Sequence, residues 1–199
     1  SRDYFVERDA IDRVLASCPD AQWRLIVALC RYGGLRCPSE VLSLKWSDIV
    51  WSHSRMTVRS PKTEHVDGKE SRVVPIFPEL RKYLDEVWDE VDRAEYVITR
   101  YRDRNSNLRT QLVRIIERAG LAPWPKLFQN MRATRATELV AEYTQHVAAD
   151  WLGHCEAIAA MHYWRPTEAD FERATIEPSK ARLKAVQQPS VSVSNDENL

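Results

Sequence analysis

The sequence contains no apolar run that approaches the roughly 20 residues needed to cross a bilayer. Its first residues, SRDYFVERDAIDRV, are charged and contain no apolar core like that of a signal peptide. These absences argue against a membrane-spanning or secreted protein, and we expect a cytoplasmic one.

The sequence also lacks the spacings typical of metal sites. Its four cysteines follow neither a CxxC pattern nor a Cys/His ligand pattern, and we see no acidic cluster suited to a divalent ion. We therefore expect no metal and mostly buried, reduced thiols. The cysteines are Cys18, Cys30, Cys37 and Cys155.

The chain has no net charge, with 29 basic and 29 acidic residues. The charge is unevenly distributed, however, because residues 93–135 hold ten basic and three acidic side chains, a local excess of seven. Residues 79–92 hold much of the acid and are typical of a solvated helix face. An arginine-rich segment favours a phosphate-bearing partner, although a solvated face alone would also produce it.

Hydrophobic periodicity predicts a mainly α-helical domain with a small three-stranded antiparallel sheet, an α+β fold. Asp20 is suited to cap one helix, and Pro38 suits a first helical position. The Ser-rich stretch AVQQPSVSVSNDENL predicts a C-terminal tail, which we place at residues 177–199 and expect either to be flexible or to contact a partner. The predicted strands are DIVW, RMTVRS and SRVVPIF; the predicted helices are ERDAIDRVLASC, DAQWRLIVALCRYGG, PSEVLSLKW, PELRKYLDEVWDEV, NLRTQLVRIIERAG, MRATRATELVAEY, TQHVAADWLG, EAIAAMHYW and TEADFERATI.

Four places carry side chains of the types used in catalysis and ligand binding. They are Arg36 after a Gly-Gly pair, Lys62 in the loop between two strands, the pair Gln129 and Arg132 at a helix start, and His154 with Tyr163 nine residues later. Each has an ordinary structural interpretation taken alone: a surface arginine, a solvated lysine, a helix start, and a core tyrosine with a hydrated hydroxyl.

Taken in order, these residues resemble the catalytic domain of the tyrosine recombinases, the phage integrase family. The resemblance rests on GLR followed by SEVLSLKWSDI, PKTEH before SRVVPI, the helix at Arg132, and LGH followed by the tyrosine. It covers roughly residues 5–175 and implies a tyrosine-recombinase catalytic domain over residues 1–176. Family members usually carry a further N-terminal domain that clamps DNA, which we expect this sequence to lack.

The resemblance implies strand cleavage through a covalent 3′-phosphotyrosine, followed by rejoining, without cofactor or metal. Tyr163 is then the nucleophile, and Arg36 and Arg132 bind the phosphate, where planar guanidinium groups suit its developing charge. Lys62 protonates the leaving 5′-oxygen, and His154 hydrogen-bonds a phosphate oxygen. The implied partners are a double-stranded DNA attachment site and, on it, a homotetramer, with a location at the nucleoid.

The sequence departs from the family pattern at two positions. Gln129 occupies the place of a usual histidine; it can hydrogen-bond a phosphate or the tyrosine but cannot exchange a proton near neutral pH. Glu40 follows Arg36 by four positions where the family's acid usually follows by three, and we assign it a supporting role. Two alternatives remain: a catalytically inactive DNA-binding module, of which Gln129 would be the first sign, and a topoisomerase using the same tyrosine chemistry.

Overall fold

The computed structural model describes residues 4–60, 70–90, 94–103 and 106–153. Within these ranges the chain forms seven α-helices and three β-strands. The helices are α1 (Arg8–Ala16), α2 (Ala21–Arg31), α3 (Ser39–Ser43), α4 (Pro78–Glu90), α5 (Leu108–Arg118), α6 (Leu127–Glu142) and α7 (Gln145–Leu152). The strands are β1 (Ile49–Val50), β2 (Arg55–Arg59) and β3 (Ser71–Pro75).

Helix α2 lies at the centre of the core. All of its residues except Arg24 are buried, and it packs against α1, α3, α4 and α6. Asp20 caps its N-terminus, because the Asp20 carboxylate accepts a hydrogen bond of 2.8 Å from the backbone N–H of Trp23. This confirms the predicted cap. A helix buried on every side is expected to be apolar all round, as most of AQWRLIVALCR is.

The three strands form one antiparallel sheet in the order β1-β2-β3. In β2, Met56 and Val58 are buried and the residues on either side are more exposed, which is the period-two pattern of a half-buried strand. In β3 the buried positions are Arg72 and Val74, and Arg72 pairs with Val58 of β2. Strand β3 therefore turns a charged side chain toward the interior.

The predicted fold class and all three strands are confirmed, and the first seven of the nine predicted helices lie within the described residues. The other two are EAIAAMHYW and TEADFERATI. Seven of the predicted helices match α1 to α7 within a few residues at their ends. The two remaining helices and the predicted tail at 177–199 lie outside the described residues. Among the described helices, none combines the length and the apolar character that crossing a bilayer requires.

The structure corrects one local prediction at the start of α3. Pro38 is the N-cap residue and not the first helical residue. The backbone N–H of Leu42 donates to the Pro38 carbonyl at 2.9 Å, so the helical hydrogen bonding begins with that carbonyl and the first helical residue is Ser39. Helix α6 also begins four residues earlier than predicted, at Leu127, which places Gln129 within its first turn.

Candidate active site

The turn after α2 sets the direction of Arg36. Gly34 has a φ of 67°, the left-handed conformation that glycine adopts without steric cost. The backbone N–H of Leu35 donates to the Leu29 carbonyl at 3.0 Å, and the Leu35 side chain is fully buried. Arg36 then follows at the edge of the core, with 26% of its side chain exposed.

Glu40 on α3 is the partner of Arg36. One carboxylate oxygen, Oε2, accepts a hydrogen bond of 2.8 Å from the Arg36 backbone N–H, and Oε1 lies 2.5 Å from Nη1 of the same residue. Only 1% of the Glu40 side chain is exposed. A buried carboxylate needs cationic or hydrogen-bonding partners to remain ionised, and Glu40 has several.

Arg72 on β3 is the strongest of these partners. Its Nη1 donates to Glu40 Oε1 at 2.9 Å and its Nη2 donates to Oε2 at 2.7 Å, the two-bond geometry that a guanidinium and a carboxylate favour. The sequence interpretation missed this residue. The sequence did contain a sign of its role, since strand alternation in SRVVP places Arg72 on the same buried face as Val74. A buried arginine requires an acidic partner.

Arg132 on α6 completes the cluster. Its Nη1 donates to the Gly34 carbonyl and its Nη2 donates to the Leu152 carbonyl at the end of α7. Nη1 also lies 3.8 Å from Glu40 Oε2, and the side chain is 7% exposed. The predicted residues Arg36 and Arg132, which are distant in sequence, therefore both reach the buried carboxylate of Glu40, the third predicted residue.

Ser60, at the end of β2, bridges two members of this cluster. Its hydroxyl donates to Glu40 Oε1 at 3.0 Å and accepts from Arg36 Nη1 at 2.9 Å. Arg36 Nη2 also donates to the Gly153 carbonyl at 3.3 Å. Ser60 and Gly153 each precede a segment with predicted site residues; Lys62, His154 and Tyr163 themselves lie outside the described residues.

The cluster formed by Arg36, Glu40, Arg72 and Arg132 carries three positive charges and one negative charge. Burial by itself would raise the pKa of Glu40, but the hydrogen bonds and charge of Arg72, with the charges of Arg132 and Arg36, outweigh it and lower that pKa to about 2. Glu40 is therefore ionised at neutral pH, and the cluster has a net charge of +2. Such a site is suited to an anion such as a phosphate.

Gln129 is placed differently. It lies on the first turn of α6, three residues before Arg132, and its side chain is exposed whereas that of Arg132 is buried. The structure thus places Gln129 on the same helix as Arg132 but not within the buried part of the cluster.

A basic groove of about 540 Å³ is lined in part by residues of α3. Its cations already have protein partners: Lys45 lies 2.7 Å from Glu95, Arg59 lies 2.7 Å from Asp48, and Arg102 stacks on the Tyr96 ring at 3.4 Å. Arg59 immediately precedes Ser60, so β2 connects the groove to the cluster. The lining residues are Pro38, Ser39, Leu42, Ser43, Lys45, Arg59, Tyr96 and Arg102.

The fold is similar to that of solved recombinases and integrases. XerA recombinase is 24% identical, with a TM-score of 0.70 over 86% of this chain and 64% of that one. A λ integrase dimer bound to a COC′ core site is 20% identical, with a TM-score of 0.60 over 84% and 62%. The catalytic domain of bacteriophage HP1 integrase is 21% identical, with a TM-score of 0.59 over 88% and 95%.

These likenesses establish the fold alone and not the function, because all three sequence identities are below 25%. This chain spans less than two thirds of the length of XerA recombinase and of the λ integrase fragment, but nearly all of the HP1 catalytic domain. Among curated proteins, no relative matches the chain. The sequence model of the family described as "Phage integrase family" matches residues 5–170, which is most of the chain. The protein therefore belongs to the phage integrase family.

Proposed function

We propose that this protein is a site-specific DNA recombinase that cleaves and rejoins strands through a covalent 3′-phosphotyrosine. The observation that carries the proposal is the convergence of Arg36 and Arg132 on the buried carboxylate of Glu40. Two guanidinium groups held together at one site match a phosphate that gains negative charge in the transition state. Family membership and the fold support the same reaction.

In the proposed reaction the Tyr163 hydroxyl gives its proton to water and its oxygen attacks the phosphorus atom, forming an O–P bond. The bond from phosphorus to the 5′-oxygen breaks, and that oxygen takes a proton from Lys62. A 5′-hydroxyl of another strand then returns a proton to Lys62 and attacks the phosphotyrosine; the bond from phosphorus to Tyr163 breaks, and the tyrosine oxygen takes a proton from water. One phosphodiester is exchanged for another, so the reaction needs no ATP.

The remaining residues have supporting roles in the proposal. Arg36 and Arg132 bind the non-bridging oxygens, and His154 donates a hydrogen bond to one of them. Gln129 is a neutral ligand of the phosphate or of the tyrosine. Glu40, on α3, orients the arginines, and its contacts to Arg36 and to Arg72 on β3 support this role.

The proposed partner is a duplex DNA attachment site, bound by a homotetramer at the nucleoid in the cytoplasm. The λ integrase relative is a dimer bound to a core site, which supports a DNA partner. The basic groove beside α3 supports it further, since Lys45, Arg59 and Arg102 line it.

Covalent capture tests the proposal. The native-length protein is incubated with a pool of nicked duplexes randomised around the nick, and adducts that survive denaturation are isolated and sequenced. We expect adducts from the wild type and from Tyr143→Phe, a control at an exposed tyrosine, and none from Tyr163→Phe. Arg36→Ala and Arg132→Ala should each slow adduct formation about 10²- to 10³-fold, by analogy with a lost oxyanion-hole donor. DNA binding without any adduct would favour the inactive DNA-binding module.

A further inference from the structure

Arg72 connects three separate parts of the fold through one guanidinium group. Its two Nη atoms hold both oxygens of Glu40 on α3, and its Nε donates to the Trp151 carbonyl in the last turn of α7 at 2.8 Å. The side chain is 6% exposed. Strand β3, helix α3 and the end of α7 therefore meet at this residue.

An arginine is required for this geometry. The planar guanidinium offers Nη donors for the carboxylate and an Nε donor for the carbonyl in fixed directions, which the single ammonium group of lysine cannot reproduce. The Arg72 side chain also packs against the turn that ends α7. A Cβ added to Gly153, where φ is 62°, would lie 2.9 Å from Arg72 Cδ, so glycine lets the two approach closely.

Arg72 also sets the charge of the cluster. It is buried, and its donors are directed to protein acceptors, so its charge offsets that of Glu40. Without Arg72, the net charge of the cluster would fall from +2 to +1. Glu40 would then have only Arg36 and Arg132 as cationic partners within the cluster, and it would draw both toward itself.

We propose that Arg72 is a positioning residue: it holds the Glu40 carboxylate and fixes the C-terminal turn of α7. Arg36 and Arg132 thereby keep the orientation, and the cluster keeps the net charge, that a phosphate requires. The proposal rests on the proposed function. Arg72 acts through Glu40 and the Trp151 carbonyl and does not touch the DNA.

The test compares two buried arginines. Arg31 is fully buried and also makes a two-bond pair, with Glu138 at 2.8 Å and 2.6 Å, but it contacts no member of the cluster. Arg72→Lys and Arg31→Lys are each measured for DNA affinity, for adduct formation at saturating DNA, and for thermal unfolding. Both substitutions retain the charge and lose the fork geometry.

We expect Arg72→Lys to slow adduct formation at saturating DNA about 10- to 100-fold, the scale of a misplaced catalytic group, while DNA affinity changes less than about twofold. Arg31→Lys should keep the wild-type rate, whatever stability it loses. A wild-type rate in Arg72→Lys, or a loss that follows stability equally in both variants, would overturn the proposal.

A second measurement separates this inference from the proposed function. The titration of Glu40, followed by the chemical shift of its carboxylate carbon, requires no DNA cleavage. Arg72→Gln should raise the pKa of Glu40 and Arg31→Gln should leave it unchanged; an unchanged pKa in Arg72→Gln would overturn the proposal even if the wild type cleaves. A wild type without adducts would instead count against the proposed function.

Discussion

The carbonyl oxygen of Gly34 accepts a hydrogen bond from Arg132, a residue 98 positions later in the chain. The acceptor is available because Gly34 adopts a left-handed conformation that turns the chain after α2. The same turn brings Arg36 to the edge of the core. One glycine therefore sets the position of both arginines that we propose to bind the phosphate.

Substitution of Gly34 by alanine should lower both stability and cleavage. The positive φ costs a residue with a Cβ about 1–2 kcal/mol, and the new Cβ would lie 2.7 Å from Cδ2 of buried Leu152. Urea unfolding measures the loss of stability. Adduct formation, at a temperature where the variant is folded, measures the displacement of Arg132.

Gly120→Ala is the matched control. Gly120 has a φ of 71°, and a Cβ there would lie 3.1 Å from Nη2 of the exposed Arg13 side chain, away from the cluster. We expect a comparable backbone cost without loss of adduct formation. Equal loss of cleavage in both variants would show that Gly34 matters only for stability.

Glu40 should make the fold acid-sensitive. Its folded pKa of about 2 is lower than the ordinary value of 4.5, so the unfolded state binds the proton more readily. The resulting stability is fully present above pH 4.5 and is lost as the pH falls toward 2. From this difference in the pKa of Glu40 we expect the free energy of unfolding to fall by about 3 kcal/mol. Urea unfolding between pH 6 and 2.5 measures it.

Glu40→Gln is the control for this acid sensitivity. The variant should be less stable at neutral pH, because three arginines then surround a neutral amide, and its stability should vary less with pH between 4.5 and 2. The pKa of Glu138 is also lowered: burial would raise it, but Arg31 and Arg135 outweigh burial. Some acid sensitivity therefore persists in the variant. An identical pH dependence in both proteins would contradict the assignment to Glu40.

Gln129 should contribute as a neutral hydrogen-bonding group. Gln129→Ala should slow adduct formation about tenfold, the scale of one hydrogen bond to a charged group. Gln129→His should change the rate by less than about tenfold and add a pH dependence near 6.5, the ordinary pKa of histidine. Single-turnover rates from pH 5.5 to 8.5 provide the comparison. If Gln129→His increased the rate of adduct formation by several orders of magnitude, the wild-type site would be shown to lack a proton carrier.

The basic groove should bind the DNA backbone. Arg59→Ala should reduce the slope of log affinity against log salt by about one, as expected for one lost phosphate contact. Arg55→Ala is the control, since Arg55 is exposed on the same face of β2 but does not line the groove. Equal reductions in both variants would indicate a diffuse positive surface.

Glu95 provides a complementary test of the groove. Its side chain is 64% exposed and holds Lys45 at 2.7 Å, in competition with any phosphate. Glu95→Gln should therefore increase DNA affinity, most strongly at low salt. Unchanged affinity across a salt titration would exclude Lys45 as a phosphate contact.

The sequence alone determined the order of helices and strands, because hydrophobic periods of 3.6 and 2 follow directly from which face each element buries. It also gave Arg36, Glu40 and Arg132 as candidate site residues, through a motif order that resembles the family's, and the structure brings these three together. Only the tertiary structure decided that Arg72 shares Glu40 with the other two arginines and that the Gly34 carbonyl accepts from Arg132. These contacts join residues distant in the chain, and their geometry depends on how α2, α3, β3, α6 and α7 pack, which no local pattern encodes.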